Sequence, residues 1–111
     1  MDVGDIQGRL RKFAEDRDWE QYHSPKNLSV ALAVEAAELM EIFQWVTPEE
    51  SRNITNNPEK YSRLREELAD VLMYALRLAD VASIDATDAI EEKLKINAEK
   101  YPPGGGRHLS I

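Results

Sequence analysis

Apolar positions along the chain recur at helical spacing, and no segment sustains the alternation of a half-buried strand. Val3, Ile6, Leu10 and Phe13 form one stripe; Leu64, Leu68, Val71, Leu72, Ala75, Leu76 and Ala79 form a longer one. Between them, Leu28, Val30, Leu32, Val34, Leu39, Met40, Ile42, Phe43 and Trp45 leave a segment apolar on nearly every face, the pattern of a helix buried all round. The breaks carry start signals. Ser24-Pro25 and Asn57-Pro58 each set a capping side chain before a proline, and Thr47-Pro48-Glu49-Glu50 adds the Glu of a capping box. Asp85 can cap a last helix with Asp88 in its first turn. The predicted helices run over about 2–18, 25–46, 58–83 and 86–100, with a short helical turn near 48–54. All glycines lie at 4, 8 and 104–106, so the interior lacks the residue that tight hairpins demand. An all-α four-helix bundle follows: one domain over 1–101, and a flexible tail over 102–111 (PPGGGRHLSI).

Length and charge narrow the classes of function. The 111 residues suffice for one core, burying roughly two-thirds of the unfolded surface. The net charge of −7 argues against binding nucleic acid non-specifically or an anionic membrane, both of which select a cationic face. The absence of cysteine excludes a disulfide framework and any thiolate metal site. No stretch reads as a signal peptide, and charges interrupt every apolar run before it reaches spanning length, so a cytoplasmic protein is expected.

Candidate chemistry begins with carboxylates in apolar surroundings. Glu35, Glu38 and Glu41 recur at steps of three through the most apolar helix, and Glu67 and Asp70 precede the run Val71–Leu76 on the next. An unpaired buried carboxylate costs several kcal/mol, and two like charges about 4 Å apart add roughly 4 kcal/mol at an effective dielectric of 20. If the two helices pack with the pairs at one level, a divalent cation offsets that cost, and hard oxygen ligands suit Mg²⁺ or Mn²⁺. The competing reading is a pair of solvated acidic faces. Glu66 is expected to be exposed, and Glu41 stands between a solvated position and an auxiliary ligand.

Lys93, Asn97 and Lys100 share one face of the last helix and would suit a phosphate-bearing ligand, although lysines there also serve the helix dipole in solvent. Trp19, Tyr22, His23, Trp45 and Tyr74 form an aromatic set on which a flat base can stack, or which fills a core or a subunit interface. Glu20-Gln21-Tyr22-His23 has the Glu-x-x-His spacing of di-iron bundles, but the second such motif is missing and His108 lies in the tail.

At these residues the chain resembles the all-α nucleoside triphosphate pyrophosphatases, in particular the MazG-like group and its dCTP pyrophosphatase branch. The family pattern of E-x-x-E followed by E-x-x-D reads here as Glu35-Ala-Ala-Glu38, 28 intervening residues, and Glu67-Leu-Ala-Asp70. RDWEQYHSPKNL at 17–28, ELMEIFQW at 38–45, EELADVLMY at 66–74 and KLKINAEKYP at 93–102 extend the likeness from about residue 3 to 102. The resemblance implies Mg²⁺-dependent hydrolysis between the α- and β-phosphates. It implies Glu35, Glu38, Glu67 and Asp70 as metal ligands, Lys93 and Asn97 with Lys100 at the phosphates, and His23, Trp45 and Tyr74 around the base. It also implies a homo-oligomer, a dimer or a dimer of dimers, whose sites borrow residues across the interface. Residues 47–57 match no family block closely, and Glu99 stands where relatives are often basic. The expected function is a house-cleaning pyrophosphohydrolase of dCTP or modified dCTP, with Glu38 favoured over Glu41 as acceptor of the water's proton. A non-catalytic helical adaptor is the alternative, and phosphoribosyl-ATP hydrolysis a remoter one.

Overall fold

Every long helix of the computed structural model, which describes residues 1–104, starts at a side chain that accepts from its own first turn. Asp2 accepts the Asp5 N–H at 2.9 Å and opens α1 (Val3–Asp16). Ser24 accepts from Asn27 at 3.1 Å and opens α2 (Pro25–Glu41). Thr47 opens the short α3 (Pro48–Ser51) through a complete capping box, its hydroxyl taking the Glu50 N–H at 3.1 Å while the Glu50 carboxylate takes the Thr47 N–H at 3.2 Å. Asn57 caps α4 (Pro58–Val81) and Asp85 caps α5 (Ala86–Lys100). Single 3-10 turns at Glu20–Tyr22 and Ile54–Asn56 fill two of the connections. The fold is all-α: no strand occurs among the described residues.

Three ends differ from the expected boundaries. The second helix closes at Glu41 rather than 46, because Ile42, Phe43 and Gln44 donate three residues back, to Leu39, Met40 and Glu41, and the spiral tightens into turns. The first and fourth helices close two residues early, at Asp16 and Val81. Both use the same device. Asp18 (φ 56°) and Ser83 (φ 57°) enter the left-handed region, and the N–H groups of Trp19 and Ile84 return to the carbonyls of Ala14 and Ala79 at 2.9 and 2.8 Å. These are Schellman closures made without glycine, which is how a glycine-free interior still turns its corners.

The most extensive packing joins α2 to α4, and α1 lies on α4. Gln7 donates to the Leu76 carbonyl at 2.9 Å, and Arg11 forks onto Asp80 at 2.9 and 3.1 Å, fixing α1 on that face. The apolar side chains fully buried among the described residues are Ala14, Leu28 and Ile42. An accessible surface of 8735 Å² exceeds the roughly 6,200 Å² of a compact monomer of this mass, and corresponds to burying about half of the unfolded surface rather than two-thirds. The expectation that the second helix is buried all round therefore fails on one side. One face of α2 meets α4, while Val30, Val34 and Met40 stay exposed, as do Ile90, Leu94 and Ile96 of α5. Among the described residues no helix is long and apolar enough to cross a membrane. Most of the expected tail, residues 105–111, lies outside the described part.

Candidate functional site

The α2–α4 contact brings the acidic pairs together. Glu35 and Glu38 on α2 and Glu67 on α4 each offer an oxygen, and these atoms lie within 4.8 Å of one another. Glu35 Oε2 and Glu67 Oε2 are sealed from solvent without a hydrogen-bond partner. With both groups ionised neither oxygen can donate to the other; a proton on Glu35 would let it donate to Glu67, and that, ahead of burial and of the neighbouring Glu38 and Asp70, pushes the Glu35 carboxyl up to about 7. Asp70 stands one turn along α4 from Glu67, on the wall of the adjoining cavity rather than inside the tight trio. Buried, partnerless carboxylate oxygens converging at this separation are what a hard divalent cation requires of its ligands. The donor set therefore fits a metal. Glu41 and Glu66 are exposed, and neither belongs to the trio.

Beside the carboxylates opens a cavity of about 600 Å³, the size of a small-molecule site. Its walls come from α1 (Ile6, Leu10, Phe13), the α1–α2 connection (Trp19, His23) and α4 (Asp70, Met73, Tyr74). The rings are ordered: Phe13 meets Trp19 edge-on with centroids 5.7 Å apart, and Trp19 lies 6.3 Å from the His23 ring. Arg17 covers the outer face of Phe13 at 3.4 Å. Such a largely apolar, ring-lined slot, with Asp70 on its wall, can hold a flat heteroaromatic group.

Sequence reasoning overlooked a polar chain that reaches this wall through Arg77, itself part of the lining. Arg77, on α4, is buried, donates its Nε–H to His23 Nδ1 at 3.1 Å, and pairs through Nη1 with Asp80 at 3.3 Å; Asp80 also holds Arg11. Burial, and then the Arg77 charge, hold His23 below its usual range. Nothing in the spacing marks Arg77, because its partner lies 54 residues away.

The expected site residues thus divide. Glu35, Glu38, Glu67, Asp70, His23 and Tyr74 gather at the carboxylate cluster and the cavity beside it. Trp45 does not line the cavity; it projects from the turn after α2, 88% exposed. Lys93 and Lys100 are exposed on α5, and Asn97 is buried on the same helix; none of these three lines the cavity of this single chain. Lys100 instead lies 5.4 Å from the Tyr101 ring.

Comparison with known proteins bears on this arrangement. The model of the MazG-like family matches residues 30–110. The chain is 43% identical to dCTP pyrophosphatase 1 of Homo sapiens over 98 residues and 41% identical to its counterpart in Rattus norvegicus, in each case over 88% of this chain. It spans 58% of the length of those curated relatives. A crystal structure of a pyrophosphatase from Archaeoglobus fulgidus superposes with a TM-score of 0.84 at 40% identity, covering 92% of this chain and 94% of that one.

Proposed function

We propose, on the premise that this chain belongs to the MazG-like family, that it is a nucleoside triphosphate pyrophosphohydrolase acting on dCTP or a modified dCTP with Mg²⁺. The observation that carries this reading is the trio Glu35, Glu38 and Glu67, two of whose oxygens are buried without partners, one helical turn from Asp70 on the wall of a ring-lined cavity. An adaptor has no use for that arrangement, which costs folding energy and returns nothing without a cation.

In the proposed reaction a water oxygen attacks the α-phosphorus, the bond to the β-bridging oxygen breaks, and nucleoside monophosphate and pyrophosphate separate. When bound, the divalent cation neutralises the triphosphate and acidifies the attacking water. The protein's part is positional. Glu35, Glu38, Glu67 and Asp70 would hold the cation from two helices, and Glu38 would also take the proton released from the water at a carboxylate oxygen. Trp19, His23 and Tyr74 hold the base and keep solvent off one side of the ligand. Lys93, Asn97 and Lys100 act at the phosphates.

The last assignment, and that of Trp45, requires a second copy of the chain. An 88% exposed tryptophan, the exposed Val30, Val34 and Met40 of α2, and the exposed Ile90, Leu94 and Ile96 of α5 are apolar side chains that a second copy would cover. A homo-oligomer covers these faces and brings α5 of one copy toward the cavity of another. The test is an end-point assay with each common dNTP and NTP, with and without Mg²⁺, resolving all phosphate products. Monophosphate plus pyrophosphate, strongest with dCTP and lost on chelation, is the expected result. Diphosphate plus orthophosphate reassigns the bond, and no turnover returns the chain to the adaptor class.

A further inference from the structure

We infer that Arg77 is a positioning residue that locks His23 as a neutral ring protonated on Nε2, so that the cavity presents the base with a fixed hydrogen-bond donor. A guanidinium donates and never accepts. Its Nε–H points at His23 Nδ1 from 3.1 Å, so Nδ1 carries the lone pair and the ring proton resides on Nε2. The arrangement is braced on both sides. Arg77 is buried on α4, Asp80 one turn on holds its Nη1, and Arg11 of α1 holds Asp80 from outside. The ring is steadied by Trp19 at 6.3 Å. The chain of contacts thus ties α1, α4 and the α1–α2 connection, the three walls of the cavity, through the imidazole on its lining.

A locked tautomer differs in consequence from a free histidine. An unconstrained imidazole offers the ligand a donor or an acceptor as the ligand prefers, and so discriminates poorly between base edges. With Nδ1 committed to Arg77, only donation remains, and the ring reads an acceptor on the edge of a heteroaromatic base. That the ligand is a nucleotide base rests on the proposed function; the tautomer itself does not.

The decisive measurement is a long-range ¹H–¹⁵N correlation spectrum of nucleotide-free, ¹⁵N-histidine-labelled protein. The two ring nitrogens are distinguished by the carbon-bound ring protons to which they couple, and His108→Gln removes the other histidine. The expected result is a protonated Nε2 and a lone pair on Nδ1 in the wild type, retained in Arg77→Gln, whose amide can still donate, and lost to a mixture in Arg77→Met. In steady-state assays Arg77→Met raises KM about five- to tenfold with little change in kcat, Arg77→Gln recovers most of it, and the effect disappears in a His23→Phe background. A wild-type ring protonated on Nδ1 overturns the inference even if dCTP is hydrolysed, and needs no variant to fold. An Arg77→Met penalty that persists without the His23 ring also overturns it, by showing that Arg77 acts elsewhere. A locked tautomer in a protein that turns over no nucleotide leaves the lock standing and sinks the hydrolase reading instead.

Discussion

Replacing Glu35 by Gln should make the metal-free protein more stable. The carboxylate oxygens of Glu35, Glu38 and Glu67 lie within 4.8 Å of one another, and unit charges at that separation repel by about 3.5 kcal/mol at an effective dielectric of 20 and by about 0.9 kcal/mol in bulk water. The site is partly open on the Glu38 side, so the gain at pH 8, where Glu35 is largely ionised, falls between these limits at about 1–3 kcal/mol. A glutamine also reproduces the shape of the protonated Glu35 and can donate to Glu67. For a chain of this length each kcal/mol moves Tm by about 3–5 °C, so the variant should melt about 3–15 °C higher in chelator.

The assay is thermal unfolding at a single protein concentration, at pH 8 and pH 5, in chelator and in Mg²⁺. At pH 5 the wild-type Glu35 holds its proton and the advantage of Gln should shrink toward zero. In Mg²⁺ at a hundred times its Kd the wild type gains about 2.7 kcal/mol by linkage, while the variant, short of one ligand, gains far less, so the variant's advantage should vanish, or reverse where it was below that figure. A variant less stable than the wild type at pH 8 in chelator would refute the electrostatic reasoning. So would an advantage of equal size at both pH values.

Three further outcomes follow from the same structure. Because Glu35 is raised from about 4.5 to about 7, the folded metal-free chain holds a proton between those values that the unfolded chain has released; its stability should therefore fall as pH rises from 4.5 to 7, in an equilibrium urea titration across that range. A flat profile removes Glu35 as a coupled group. Glu38→Gln should lower kcat by about a hundredfold or more with the helical circular dichroism unchanged, and retained turnover takes Glu38 out of the reaction. Ser83→Gly relieves a left-handed residue at the close of α4 and should raise Tm by about 2–4 °C, the left-handed strain of about 1–2 kcal/mol being partly offset by glycine's extra freedom when unfolded. A loss of stability would show that the Ser83 side chain contributes more than its backbone strain costs.

What was legible in the sequence is what is local. Ser24, Thr47, Asn57 and Asp85 cap helices within three residues of themselves, so their role is written in adjacent letters. The acidic pairs were readable for a related reason: Glu35–Glu38 and Glu67–Asp70 interrupt apolar helices at one-turn spacing, and such an interruption needs an explanation wherever the partner helix lies. The end of α2 was not readable, because nothing in Ile42-Phe43-Gln44-Trp45 forbids helix; the turn is imposed by three-residue hydrogen bonds in that stretch. Arg77 was invisible for the opposite reason. An arginine on an amphipathic helix reads as a solvated side chain, and only the fold lays it against a histidine from another element.

The same contact that organises the fold carries its largest electrostatic cost. α2 and α4 make the most extensive packing in the chain, and at their interface stand Glu35 and Glu67 with oxygens sealed from water and unpaired. Few apolar side chains are fully buried elsewhere to offset this: Ala14, Leu28 and Ile42 complete the set among the described residues. Two remedies are open to such a chain, a cation between the carboxylates and a second copy over the exposed faces of α2 and α5. They are coupled. Whatever draws α2 and α4 together for the cation also sets the angle at which their outer faces meet a partner, and a partner that rigidifies α2 lowers the cost of gathering the ligands. Metal affinity and subunit association should therefore favour each other by the same factor in both directions, so that chelation weakens the oligomer as much as dilution weakens the site.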